Sequence, residues 1–192
     1  MKFLQVWVYG LVSPSRMFEE LQKKPAPFWG FRAILIRFVV TSLTTTLALY
    51  LLDHLPFWPS YLTFLPTENY YAALIFFFPM FGLAAWLLMS AIAHIVLRLT
   101  GKASDFDMIL NIVGMGMLVP MPFVWLWDWT MIALNSYQVA TMAPSHAIAQ
   151  LWEAIVESVG FKVALGLRTS FAVVLALTIN CVYILLGAMF AR

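Results

Sequence analysis

Apolar residues fall in four long blocks along the chain, at 33–52, 70–97, 106–127 and 167–191. A hydrocarbon core about 30 Å thick needs about 20 helical residues to cross it, so each block reads as a transmembrane helix. The second block has no Asp, Glu, Lys or Arg. It exceeds the bilayer at about 1.5 Å per residue, which predicts tilt or a bend at Pro79. The third carries Gly114, Gly116, Pro120 and Pro122 in its second half, where a break is expected, with a short segment ending near Leu134. A polar turn from Thr100 to Ser104 joins blocks two and three, and Asp105 and Asp107 cap the helix that follows.

Shorter elements flank the blocks. Residues 1–28 read as a cytoplasmic interfacial segment: an apolar stretch too short to span, then a helix with Pro14 at its first position and Lys23 and Lys24 at its end, stopped by Pro25 and Pro27. No signal-peptide cleavage site follows the apolar stretch, so the N-terminus is expected to be kept. The 53–69 loop, with Phe57, Trp58, Tyr61 and Phe64, suits an aromatic belt. Residues 145–159 read as an outer-side amphipathic helix, capped by Ser145 and stopped at Gly160. Its apolar face is Ile148, Leu151, Trp152, Ile155 and Val159; Gln150, Glu153 and Glu157 are assigned to the opposite, solvated face. The predicted fold is therefore all-α: a polytopic integral membrane bundle of four transmembrane helices plus interfacial amphipathic helices.

Composition removes the soluble alternative. The chain is 63% hydrophobic and 10% charged, against about 25% charged for soluble domains. The net charge of +2 matters less than its distribution. Lys2, Arg16, Lys23, Lys24, Arg32, Arg37, Arg98, Lys102 and Arg192 fall on one side of a four-span layout, and only Lys162 and Arg168 on the other. The positive-inside rule then places both termini and the 98–107 hairpin in the cytoplasm. Arg37 is read as snorkelling to the headgroups. No basic run or aromatic–basic patch points to nucleic acid. Cys181, the only cysteine, reads as a small hydrophobe.

Candidate chemistry is sparse. His94 is an ionisable group inside an apolar block, which makes it a functional candidate, for protons or a substrate. Its place one turn before Arg98 favours a structural hydrogen bond instead. Asn111 and Asn180 read as interhelical glue ahead of a solute site. Gly114, Gly116 and Pro120 mark either a discontinuous helix of the kind that builds binding sites, or ordinary membrane-helix composition. Ile148, Leu151, Trp152 and Ile155 are the candidate docking stripe. No metal constellation, cofactor motif or catalytic motif occurs, so no cofactor and no enzyme activity are expected.

Two segments carry a family resemblance. LVSPSRMFEELQKKPAP holds Ser13-Pro14, Phe18 and Leu21; AHIVLRLTGKASDFDMILNIVGMGMLVPMP holds His94, Leu97, Gly101, Ser104, Phe106 and Pro120. In that order they resemble the Yip1 family of small multi-pass membrane proteins, in its compact bacterial form. The resemblance implies five spans where the hydropathy pattern has four; a fifth would need a broken third helix or re-entry of 145–160. It also implies a non-enzymatic membrane scaffold or accessory subunit that binds other membrane proteins or organises lipid, in a bacterial inner membrane. Eukaryotic members work in trafficking and bind small GTPases, for which the N-terminal region here is too short. The alternative is a small transporter or permease-like subunit for a lipid or small solute. The partners expected are the bilayer and other integral membrane proteins, with a homo-oligomer open.

Overall fold

The computed structural model describes residues 2–23, 28–57 and 65–190. Lys24, Pro25, Pro27, Trp58, Tyr61, Phe64 and the end of the last block at Ala191 lie outside them. All regular structure among the described residues is helical. The order is α1 (Phe3–Val12), α2 (Pro14–Lys23), α3 (Phe28–Thr41), a π-turn (Ser42–Thr46), α4 (Leu47–Leu51), α5 (Tyr70–Leu99), α6 (Phe106–Leu118), α7 (Met121–Ala133), α8 (Val139–Leu165) and α9 (Thr169–Phe190). Four stretches are long and apolar enough to cross a membrane: Phe28–Leu51, Thr67–Leu99, Phe106–Ala133 and Thr169–Ala188.

The chain traverses the bundle five times, because α8 is a full pass. Its start lies beside the ends of α4 and α7: the His54 Nε2 is 3.1 Å from the Tyr137 carbonyl, and Trp127 donates to the Thr141 carbonyl at 3.0 Å. Its end lies beside α2 and the 100–105 hairpin. Gln22 donates to the carbonyls of Val163 and Ala164, and the Lys102 ammonium sits 4.8 Å from the Phe171 ring at the start of α9. At about 1.5 Å per residue, 27 residues span about 40 Å. The helix anticipated at 145–159 is thus extended at both ends. Ser145 lies inside it and donates to the Met142 carbonyl at 2.9 Å. Gly160 does not stop it: a Cβ there would meet Phe18 at 2.7 Å, so the glycine makes room for a ring. The stop is Gly166, at φ +65, the left-handed conformation that ends many helices. The same geometry takes α9 to the end of the bundle opposite the hairpin.

The central pass is α6–α7, with Met108 to Val119 buried almost throughout. The Asp105 carboxylate caps α6 by accepting the Met108 N–H at 3.2 Å. The helix runs unbroken past Gly114 and Gly116 and breaks at Val119–Pro120. Gly114 is a packing residue: a Cβ there would lie 2.5 Å from the Gly30 carbonyl oxygen and 2.6 Å from its Cα, because the backbones of α3 and α6 touch. Gly114→Ala is accordingly expected to destabilise the protein by ~1–3 kcal/mol, the cost of overpacking. Denaturant unfolding in detergent reads this, with Gly187→Ala, a helical glycine with open space at its Cβ, as the control that is not destabilised.

Residues 3–23 form a pair of helices wedged into the bundle. Phe3 packs edge-on to Trp29, and a Cβ on Gly10 would meet Val119, just past the end of α6. The chain turns at Ser13, with Arg16 stacked 4.2 Å over the Tyr9 ring, and returns along α8. Met17, Phe18 and Leu21 are at most 1% exposed. The helix has a strong apolar face, as its spacing predicts, and this face is covered by protein.

Candidate functional site

Four helices bring an ion pair and its hydrogen-bond partners to one level in the middle of the bundle. Arg37 of α3, Met117 of α6, Glu153 of α8 and Tyr183 of α9 each lie about 14–21 Å in from the hairpin-end terminus of their helix. They meet directly. One guanidinium nitrogen of Arg37 donates to the Met117 carbonyl and to Glu153 Oε2, both at 2.7 Å; the other donates to the Tyr183 hydroxyl at 3.2 Å. The Met117 carbonyl is free for this because α6 ends one residue later, and the last four carbonyls of a helix have no following N–H. Just beyond Arg37 the α3 backbone enters the π-turn. There Thr41 and Thr44 donate back to the carbonyls of Arg37 and Val40, at 2.8 and 2.7 Å. Such hydroxyl back-bonding and π-turns accompany local distortion of a helix.

A second acid lies one turn along α8. Glu157 is fully buried, and its Oε2 accepts from Asn180 Nδ2 at 2.5 Å. Asn180 also donates to the Ala176 carbonyl, and its oxygen accepts from Gln150 Nε2. Gly116 clears space for this acid, since a Cβ would sit 2.5 Å from Glu157 Cγ. Arg37 pairs with Glu153, whereas the hydrogen-bond partner of Glu157 is Asn180. Glu153 Oε1 and Glu157 Oε1 have no hydrogen-bond partner.

Beside this cluster lies a cavity of about 150 Å³, lined among others by Arg37, Thr41, Asp128, Gln150, Glu153 and His146. The Asp128 side chain is 3% exposed, and its Oδ1 has no hydrogen-bond partner. Its nearest ionisable neighbour is His146 Nε2, at 3.9 Å, beyond hydrogen-bond range. The His146 side chain is 47% exposed, so the cavity reaches the surface at that residue. In chemical terms the site is a buried cation with a surplus of carboxylate oxygens around enclosed space. It offers hydrogen-bond acceptors and charge. Among the described residues no three His, Cys, Asp or Glu side chains gather as a metal site.

Comparison with family models, curated proteins and solved structures returns no match to this chain.

The residues singled out from sequence divide between this site and the frame around it. Asn180, Gly116 and Pro120 come together at the cluster or its cavity. Gly114 lies in the α3–α6 crossing. Asn111 is there too, its oxygen accepting the Gly30 N–H at 2.8 Å. His94 closes the hairpin, with Nδ1 2.7 Å from the Ser104 hydroxyl and its ring edge-on to Phe106. Ile148, Leu151 and Ile155 are all more than half exposed, and Trp152 is half-buried against the core. The assignment of faces on α8 is corrected: Glu153 and Glu157 point into the bundle and the apolar stripe points out. Arg37 is likewise held in the bundle interior by Glu153. The sequence reading passed over Arg37, Asp128, His146, Gln150, Glu153, Glu157 and Tyr183 as a site. One signal was present: Arg37 sits ten residues into Phe28–Leu51, deep for a flanking cation, and the two acids lie four apart on α8.

Proposed function

We propose that the chain is an integral membrane protein that crosses the bilayer five times and acts by reversible binding, with the cavity at Arg37 and Glu153 as the site for a small solute. The observation that carries this is the buried cluster itself. Ionisable groups inside a membrane bundle are costly, and they mark solute or ion pathways more often than they serve as plain packing. Its place at the break between α6 and α7 fits the way discontinuous helices build transporter sites.

The five-crossing layout is supported by α8. With Glu153 and Glu157 turned inward, the helix offers lipid the side chains of Ile148, Leu151 and Ile155. Lys162 and Arg168 then join Lys2, Lys23, Arg98 and Lys102 at the hairpin end, which the positive-inside rule assigns to the cytoplasm. The end of α9 falls on the outer face. Five crossings also agree with the Yip1 family's usual number, and a bacterial cytoplasmic membrane suits the compact form that the chain resembles. Single cysteines in a Cys181→Ser background test the layout. Lys102→Cys and Arg168→Cys should be labelled from the cytoplasmic side and Ser136→Cys from the outer side; labelling of position 168 together with 136 would restore four crossings.

The solute reading is tested on the purified protein in mild detergent. Thermal unfolding is followed with a panel of inorganic cations, ammonium salts, anions and neutral polyols at constant ionic strength. At least one class should raise the midpoint, as any ligand selective for the folded state does. A midpoint indifferent to the whole panel would remove the reading. A second reading, a Yip1-type scaffold or accessory subunit, is favoured by the exposed Ile148–Leu151–Ile155 stripe. It expects a defined membrane partner to be lost on Leu151→Arg while the bundle stays folded.

A further inference from the structure

We infer that the cavity between Asp128 and Glu153 is a site for a small monovalent organic cation of the ammonium type, a protonated amine carrying N–H donors. The inference rests on the solute-binding reading above and names its substrate class. Asp128 and Glu153 line one pocket that opens at His146. Asp128 Oδ1 and Glu153 Oε1 have no hydrogen-bond partner, and the side chains that carry them are 3% and 1% exposed. A buried carboxylate oxygen without a donor is costly, and native proteins almost always supply one. A ligand that brings donors and positive charge completes both.

The charge balance points the same way. Facing the cavity are Arg37 from α3, Asp128 from α7, and His146 and Glu153 from α8, with Tyr183 from α9. Arg37 is already committed to Glu153 Oε2, the Met117 carbonyl and the Tyr183 hydroxyl. The lining holds two carboxyl groups, Asp128 and Glu153, against one guanidinium, and Glu157 stands behind them. An anion would meet one guanidinium, with three of its five N–H donors already bonded, beside the carboxyl groups of Asp128 and Glu153. A bare metal ion would need more oxygen ligands than two carboxylates supply, since hard cations take six or more. An alkylammonium needs fewer. It is also served by the rings of Phe78 and Tyr183 on the cavity wall, whose faces attract cations. The space, about 150 Å³, holds an ion of a few heavy atoms. The way in is past His146, half-exposed at the mouth and 3.9 Å from Asp128.

The test uses methylammonium chloride against sodium and potassium chloride at equal ionic strength, with the full chain in detergent. Methylammonium should raise the unfolding midpoint in a saturable way that sodium and potassium do not match. The isosteric variant Asp128→Asn should weaken that response at least tenfold in apparent affinity, while its elution volume and near-ultraviolet dichroism stay those of the unmodified protein. In vesicles, uptake of labelled methylammonium should be lost in the same variant. Equal responses to methylammonium, sodium and potassium, or a response to metal ions alone, would overturn the assignment, as would an unchanged response in Asp128→Asn. If Asp128→Asn does not fold, the salt comparison on the unmodified protein decides by itself. Stabilisation by an anion or a polyol only would overturn the cation class and leave the solute-binding reading standing; indifference to every compound would end both.

Discussion

Arg37→Met is expected to destabilise the protein by ~3–5 kcal/mol, the cost of leaving a buried ion-pair partner uncompensated. The variant keeps the length and apolar stem of the side chain, so the loss reports charge and hydrogen bonding ahead of volume. Four groups lose a donor at once or stand beside the loss: Glu153 Oε2, the Met117 carbonyl, the Tyr183 hydroxyl and, one turn away, Glu157. Equilibrium unfolding in detergent measures the effect. The double variant Arg37→Met/Glu153→Met should recover a large part of it, because replacing both members of a buried pair by apolar residues is often close to neutral. A loss in the single variant below ~1 kcal/mol would mean the pair is solvated like a surface salt bridge, whose usual worth lies in that range. It would also contradict side-chain exposures of 11% for Arg37 and 1% for Glu153.

The second large effect concerns residues 14–23. Phe18→Ala should cost ~3–5 kcal/mol, the range for truncating a fully buried aromatic ring. Phe18 is 0% exposed, and it fits where Gly160 has no side chain and Ile112 comes close. A helix merely lying on the membrane surface would lose a few tenths of a kcal/mol on the same change, as surface substitutions do. The measurement therefore separates a wedge that belongs to the core from a peripheral float. Leu4→Ala, at a residue 60% exposed on α1, is the matched control and should change little.

Much of the frame is legible along the chain because it depends on neighbours in sequence. Asp105 caps α6 with an N–H three residues on, so composition and spacing suffice to find it. His94 and Ser104 are ten residues apart across one tight turn, and the structural role expected of His94 follows from that proximity. The break at Pro120 is announced by the crowding of Gly114, Gly116, Pro120 and Pro122, whereas the lone Pro79 and Pro144 lie within the continuous α5 and α8. The candidate site was not legible in this way. Arg37 and Glu153 are 116 residues apart, and nothing in either local window names the other. Asn180, read as glue, proved to hold an acid that had been assigned to water.

The apolar blocks, their helical state and the four stretches long enough to cross a bilayer follow from the sequence alone, since hydropathy and helix length are local sums. Tertiary structure alone decided that α8 runs the length of the bundle beside them. A hydropathy sum counts Glu153, Glu157 and Lys162 as polar wherever they stand, and so sets the helix apart from the other four. In the folded chain, the two glutamates are buried against Arg37 and Asn180 and the lysine lies at the end of the pass. Opposite those two acids, the exposed side chains are Ile148, Leu151 and Ile155. Whether a carboxylate faces solvent or the core depends on the partner that meets it, and only the fold brings that partner into contact.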